Sequence, residues 1–424
     1  MLSAIPRYGA RIAPGTDRIV AECRRRGELV DGPHIERFER AFAGRLGLPY
    51  AVATAYGRMA FYYLLKAFDL PPGAEIVFPA VTFWAVPEIA RAAGLKPVFA
   101  DVQRRTFTLD PQAFAAAISR RTCAVVPTHL YGLPCDMDRI VGVARRHGLI
   151  VIEDCAHALG ATYRGRPVGT LGDAAFFSFQ FLKPLNTYGG GMAVTRDAAI
   201  AARVASMVGA ERRPDPHEVL RRLWIGRLQR LFVRPAVFTA TGFPVLLAAS
   251  LARKKPDVYL WEPIRRLDPL PPAYRTGYSN VQAAIGLAAL DRLDAWTAAT
   301  VRHAQRVSAA LADLDGIELP VVPPDRTHVF YQFCVTTPWR DEIVARSIRR
   351  GLDVDTLHVD ICPELPLFES ARVDAPGARH AAHAVQVPVH ASLTEEQVTS
   401  VIGRLRQALA PLVSAARLAE AMPP

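Results

Sequence analysis

The chain has 424 residues, 50% of them hydrophobic and 21% charged, with 34 prolines and 28 glycines scattered without period. That composition excludes disordered, collagenous and linker classes and leaves room for two or three domains with large cores. A net charge of +11 arises from 51 basic and 40 acidic residues, but no zinc finger, RNP-like pattern or basic–aromatic interleaving points to nucleic acid.

The N-terminal stretch MLSAIPRYGARIAPG lacks the apolar core of a signal peptide. Six cysteines (Cys23, Cys123, Cys135, Cys155, Cys334 and Cys362) are far apart and form no C-x-x-C. Both features fit a reducing compartment, so the expectation is a cytoplasmic protein. The first informative element is AYGRMAFYYLL (55–65), where Gly57 and Arg58 open a helix. Free backbone N–H groups and the helix dipole there suit a phosphate.

Apolar runs at 75–80, 96–102, 123–129, 149–154, 174–179 and 191–195 read as strands, several of them apolar throughout, as strands covered on both faces must be. Between them, 85–94, 111–120 and 136–148 carry the three- and four-residue apolar spacing of helices. Strands alternating with helices predict an α/β fold with a mostly parallel central sheet. Ligands then belong beyond the carboxyl ends of the strands. Three strands end there in polar residues: Thr128-His129, Glu153-Asp154, and Ser178 with Gln180 and Lys183 just beyond.

Only five of the basic residues are lysines: Lys66, Lys96, Lys183, Lys254 and Lys255. Lys183 alone follows a buried strand and precedes a glycine-rich turn, Tyr188-Gly189-Gly190-Gly191. Apolar surroundings disfavour the ammonium form and free the amine for a Schiff base, the plain alternative being a surface lysine in a loop. Asp154 ends a buried strand, where a carboxylate needs a cationic partner or caps the next turn. The protonated ring nitrogen of pyridoxal phosphate (PLP) is one such partner. No P-loop, no G-x-G-x-x-G after a strand and no H-E-x-x-H occurs, and His380-x-x-His383 reads as a surface pair, so no metal site is expected.

Residues 211–268 hold 12 basic against 6 acidic residues, more than half of the net charge. Within them, 217–233 place Leu220, Leu223, Trp224, Leu228, Leu231 and Phe232 on one helical face, with Arg221, Arg222, Arg227 and Arg230 mostly on the other. A basic amphipathic helix of this kind suits an anionic membrane surface. The next 18 uncharged residues, 235–252, are broken by Gly242 and Pro244 and flanked on both sides by basic residues, which predicts an interfacial or re-entrant hairpin rather than a span. The alternative for 217–255 is packing within a dimer or over the active site. Beyond it, a helix over 293–313, apolar segments at 317–322 and 331–337 and a helix over 394–411 predict a smaller α+β domain. The expected division is 1–210, an N-terminal segment and large cofactor-binding domain; 211–268, the basic and apolar insertion; and 269–424, a small domain with its connecting helix.

These elements, in order and spacing, resemble the PLP-dependent sugar aminotransferases of the DegT/StrS family, of fold type I. The resemblance is carried by FERAF (38–42), PVFADV (97–102), THLYGLPCDM (128–137), VIEDCAHALGATYRGRPVGTLGD (151–173), FFSFQFLK (176–183), SNVQAAIGLAALDRLD (279–294) and VPVHASLTEEQV (387–398). It implies that Lys183 binds the cofactor aldehyde and shuttles a proton, that Asp154 pairs with the pyridinium, that Phe83 stacks on the ring and that His157 stands beside it. It implies that Gly57, Arg58 and Ser178 hold the phosphate. An amino-acid donor, glutamate, would load the cofactor, and a keto sugar on a nucleotide or lipid carrier would take the amine. A homodimer with its site at the interface follows, and the basic segment would place it peripherally at the inner membrane face. The family's PLP-dependent sugar dehydratases carry histidine where this chain has Lys183. That favours transamination over dehydration or isomerisation, and over a non-catalytic PLP-binding regulator or scaffold of the same fold. The sequence departs from the family at Tyr56-Gly57-Arg58 in place of Ser-Gly-Thr. Arg275-Thr276-Gly277-Tyr278 stands in place of N-x-R-M, where Arg275 would reach the phosphate of the neighbouring subunit. A further departure is LHVDIC (357–362), in place of a substrate-side histidine motif.

Overall fold

The apolar runs between residues 75 and 195 become the strands of one seven-stranded sheet in the computed structural model, which describes residues 3–252, 262–356 and 359–421. Helices α1 (Thr16–Arg26) and α2 (His34–Leu46) lead into β1 (Tyr50–Thr54), α3 (Gly57–Ala67), β2 (Glu75–Pro79), β3 (Val81–Thr82) and α4 (Ala85–Ala92). Then come β4 (Lys96–Ala100), α5 (Pro111–Ala117), β5 (Thr122–Val125), α6 (Met137–Arg146) and β6 (Ile150–Asp154). The hairpin β7 (Thr162–Tyr163) and β8 (Arg166–Pro167) precedes β9 (Ala174–Ser178), β10 (Gly191–Thr195) and α7 (Ala198–Gly209).

The sheet order is β1-β10-β9-β6-β5-β2-β4. Strands β9, β6, β5, β2 and β4 are parallel, and β10 runs antiparallel to both of its neighbours. Strands β2 and β10 are buried along their whole length, which explains the apolar runs 76–79 and 191–194. The strand expected over 123–129 stops at Val125. Pro127 has no N–H for the ladder, which closes again only at the Thr128–Asp154 bridge. This break frees Thr128 and His129 at the carboxyl edge.

Within 211–252 the chain forms α8 (Pro216–Phe232), α9 (Pro235–Ala240) and α10 (Gly242–Leu251), the last two separated at Thr241, so that Gly242 and Pro244 fall in the first turn of α10. The faces of α8 differ from expectation. Val219, Leu223 and Gly226 are buried, whereas Trp224, Leu228 and Leu231 are exposed. A Cβ on Gly226 would collide with the Tyr188 ring, so this glycine lets α8 seat directly on the glycine-rich turn. Arg222 is correspondingly turned inward. Arg253, Lys254 and Lys255 lie outside the described residues. Among the described residues no helix is long and apolar enough to cross a membrane.

Helices α11 (Asn280–Leu290) and α12 (Leu293–Leu311) lead to β11 (Phe333–Thr336), α13 (Arg340–Ile348), β12 (Asp355–Thr356), β13 (Asp360–Ile361), α14 (Pro376–Ala381), β14 (Ala384–Val387) and α15 (Glu395–Ala421). Strands β11, β14 and β12 form an antiparallel sheet, to which residues 317–322 add a single backbone bridge, Glu318–Thr336, while Ile317 and Leu319 pack against its core. Strand β13 pairs with β3, stitching this part of the chain to the rim of the large sheet.

Behind the sheet, Phe42 meets Phe177 and Phe179 edge to face at 5.0 and 5.5 Å, and Phe38 meets Phe179 at 5.5 Å. Such contacts add to area burial. Phe42→Ala is therefore expected to cost about 3–5 kcal/mol, read as a lower midpoint of urea unfolding.

Candidate active site

At the carboxyl edge of β5, β6 and β9 lies a cavity of about 710 Å³. Seven of the eight residues expected in the site line it together: Gly57, Arg58, Phe83, Asp154, His157, Ser178 and Lys183. Arg275 does not. It is exposed and held by Glu211, to which its Nε and Nη2 donate at 3.1 and 3.0 Å. Leu357 and His358 of the altered histidine motif lie outside the described residues.

Lys183 is no solvated loop lysine. Its Nζ lies 4.9 Å from the centroid of the Tyr331 ring, and burial lowers its pKa to about 8 against the pull of the Asp154 charge. Asp154 is buried. Desolvation raises its pKa, while the Ala156 N–H, donating to Oδ1 at 3.0 Å, and the charge of Lys183 work the other way. A buried carboxyl in this balance is complemented by a cationic N–H donor. His157 stacks on Tyr331 with ring centroids 4.3 Å apart, and Tyr131 N–H donates to its Nδ1 at 3.4 Å.

The strand places Glu153 on the face opposite Asp154. Its oxygens accept from the backbone N–H of Gly169 at 2.9 Å, Leu171 at 2.7 Å and Gly172 at 2.8 Å. They also lie 2.9 Å from His129 Nε2. The Cys135 N–H donates to His129 Nδ1 at 3.1 Å, which leaves the ring proton on Nε2, aimed at Glu153. Burial opposes the charge on Glu153, yet these donors hold its pKa below the usual carboxylate range. Sequence reading saw this acid only as half of a polar strand end.

The first turn of α3 has no side-chain cap. Its N–H groups are open to an anion beside Ser178. Gly57 and Gly191 pack backbone to backbone here, and a Cβ on Gly57 would also crowd Ser178 at 2.8 Å. The Arg58 side chain donates to Glu262 at 2.6 Å and to the Tyr274 hydroxyl at 2.7 Å. Its charge also disfavours the Lys183 ammonium.

Four cavity residues were given no site role by the sequence reading, which saw Thr128 only as a polar strand end. Thr128 contributes a side-chain bond toward Asp154. Glu262 arrives from the end of the basic segment. Asp360 reaches the cavity through the β13–β3 pairing, accepts from Trp84 N–H at 3.2 Å, and is pushed by burial up to about 6. Arg222, assigned by periodicity to an outer basic face, donates to the Tyr56 hydroxyl at 2.9 Å from inside the cavity wall. His380 and His383 lie elsewhere, with His380 against Glu318 at 3.2 Å.

The model of the DegT/DnrJ/EryC1/StrS aminotransferase family matches residues 12–232 and 240–406. The chain is 34% identical over 395 residues to GDP-perosamine synthase of Caulobacter vibrioides, covering 89% of this chain and 91% of that protein. It is 35% identical over 321 residues to a UDP-N-acetyl-3-dehydro-alpha-D-glucosamine 3-aminotransferase of Acidithiobacillus ferrooxidans, covering 73% and 84%. The solved aminotransferase TlmJ of Streptoalloteichus hindustanus superposes with a TM-score of 0.78 at 26% identity, covering 96% of this chain and all of that one. The chain belongs to the DegT/DnrJ/EryC1/StrS aminotransferase family and is a fold-type-I, PLP-dependent aminotransferase.

The two neighbouring acids of β6 should respond oppositely to neutralisation. Glu153→Gln sets an amide against three buried N–H donors and is expected to destabilise the protein by about 3 kcal/mol or more. Asp154→Asn, which removes a charge that burial disfavours, is expected to leave the melting temperature of the cofactor-free protein unchanged or higher. Thermal melts of the two variants compare them directly.

Proposed function

We propose that this enzyme transfers an amino group from an amino-acid donor, glutamate, to a keto sugar carried on phosphate, with PLP held in the cavity that Lys183 and Asp154 share. The observation that carries the reading is the pair itself: an amine lowered to about 8 and a buried carboxyl, lining one cavity with an uncapped helix N-terminus. The names of the similar enzymes, which act on GDP- and UDP-linked sugars, support the acceptor class.

The residues fit the group. The α3 backbone N–H groups of Gly57 and Arg58 and the Ser178 hydroxyl would hold its phosphate, Asp154 its ring nitrogen, and Phe83 and His157 its flanks. PLP supplies an aldehyde that captures an amine and a ring that accepts the electrons of a breaking C–H bond. Asp154 keeps its proton-bearing partner charged. Lys183 presents a neutral amine near physiological pH and moves the proton at the reacting carbon, a task suited to a group with a pKa close to the working pH. Burial and the like charge of Arg58 keep that amine neutral. A histidine at 183 could not serve as the capturing amine, which disfavours the dehydratase reading. The same reading makes the enzyme a cytoplasmic homodimer. Arg275, outside the cavity of its own chain, would reach toward the partner's phosphate site.

PLP-loaded protein should lose its visible absorbance on adding glutamate and release 2-oxoglutarate, and borohydride should fix the cofactor mass on Lys183. Because Lys183 is lowered to about 8, covalent capture of the aldehyde should rise with pH through that value and fall below it. Lys183→Ala should lower turnover by on the order of 10³-fold or more. Unchanged turnover would remove the assignment.

We further propose that α8 to α10 dock on an anionic lipid surface. Trp224, Leu228, Leu231, Val245 and Leu251 are exposed there. Between α1 and α8 lies a cleft of about 740 Å³, lined by Val20, Leu220 and Trp224 and by Arg24, Arg25, Arg227 and Arg230, with Asp17 the one acid. Apolar residues among arginines complement anionic headgroups over an acyl boundary. Vesicles of phosphatidylcholine with a quarter phosphatidylglycerol should sediment the protein, and pure phosphatidylcholine should not. Trp224→Ser with Leu228→Ser should release it. Unchanged sedimentation, or a change in subunit association instead, would identify the patch as a protein contact.

A further inference from the structure

Arg222 is the cation of the catalytic cavity that no carboxylate matches. Arg58 is neutralised by Glu262, whereas among the described residues Arg222 has no acidic partner within salt-bridge distance. Its guanidinium lies over the Tyr56 ring, 5.1 Å from the centroid, and donates to the Tyr56 hydroxyl, a neutral group. It is held there rather than waving from the surface: α8 is seated by Gly226 on Tyr188, and the Arg222 side chain fills the space beside Gly189.

Arg222 also stands at a boundary. Beside it opens a second pocket of about 300 Å³ that Lys183 does not line, walled by Tyr56, Gln180, Arg221, Arg222 and Gln229, with Glu218 the one acid. Glu218 is itself paired with Arg212 at 3.7 Å. Two successive arginines, two amides and two phenols supply donors to a chamber that shares Tyr56, Gln180, Tyr188 and Arg222 with the catalytic cavity. An anion held there is displaced from the reacting carbon. The amino donor carries a carboxylate on the very carbon that bears its amine, so that carboxylate must bind beside Lys183. The phosphates of an activated sugar are separated from the keto carbon by the sugar ring. We infer that Arg222 and the pocket beside it form the subsite for the diphosphate of the acceptor, with α8 supplying specificity from within the same chain. This rests on the reading of the acceptor as a phosphate-activated keto sugar. Guanidinium forks suit phosphoryl oxygens in geometry and charge.

The experiment uses the PLP-loaded enzyme and calorimetric titration with inorganic pyrophosphate, UDP, farnesyl diphosphate and glutarate. Wild-type enzyme should bind pyrophosphate, and Arg222→Gln should weaken that binding about 10- to 100-fold, the worth of a charged hydrogen bond. Arg222→Lys, which keeps the charge and loses the fork, should fall between the two and serves if the glutamine variant folds poorly. Arg302→Gln, an equal loss of charge at an exposed position of α12 outside both pockets, should stay within twofold. UDP binding tighter than farnesyl diphosphate would mark a nucleotide carrier, and the reverse a lipid carrier. The proposal is overturned if wild-type enzyme does not bind pyrophosphate at millimolar concentration, if Arg222→Gln stays within twofold, or if Arg302→Gln loses as much. A loss confined to glutarate, which would make Arg222 a donor contact, also overturns it. The glutamate-driven absorbance change of wild-type enzyme is read separately: its absence sinks the aminotransferase reading, whereas its presence with unaltered pyrophosphate binding sinks only the subsite.

Discussion

Two carboxylates at the end of a buried strand cannot point the same way, and the site depends on that constraint. Along β6 the period of two turns Glu153 to one face and Asp154 to the other. Glu153 meets three backbone N–H donors and the His129 ring, so its charge is fully compensated inside the protein. Asp154 keeps the Ala156 N–H bond and a side-chain bond from Thr128, and faces the cavity. One acid ties the 169–172 loop and the β5 end to the sheet. The other is left with capacity for a partner from outside.

The lysine opposite Asp154 is governed by the same desolvation with the opposite sign. Burial that raises a carboxyl lowers an amine, so a single dry cavity tunes both groups toward neutral pH. The uncapped start of α3 supplies the third element, a positive end that costs the protein no charged side chain. Around this centre the chain has changed the usual equipment. An arginine occupies position 58 and requires Glu262 and Tyr274 to hold it, and α8 closes the wall with Arg222.

Legibility followed the range of the interactions. Strands β2, β6, β9 and β10 were evident because burial on both faces demands continuous apolar runs. Lys183, Asp154, Ser178 and Gly57 were evident because each sits at a strand end or helix start, positions that local pattern reveals. Glu262, Asp360 and Arg222 were not. Each reaches the cavity from a distant stretch, through the tail of the basic segment, the β13–β3 pairing and the packing of α8. Helical periodicity sorted Arg222 with the other arginines because it weighs polarity alone. It has no knowledge that Gly226 removes a side chain and lets that face settle on Tyr188. Arg275 shows the converse. The resemblance at N-x-R-M aimed it at the neighbouring subunit's phosphate, and within its own chain it lies outside the cavity, held by Glu211.

The sequence by itself determined the α/β architecture, the five-lysine shortlist that singles out Lys183, and the acid that faces it, because buried strands and their polar ends leave a local signature. Tertiary structure alone decided which of the two β6 acids is consumed by the fold. It also decided which arginine turns inward, and which carboxyls from remote segments share the cavity. Those outcomes depend on side chains hundreds of positions apart meeting in a low-dielectric space, where each unpaired charge or donor must find a partner, and no local pattern encodes that partner.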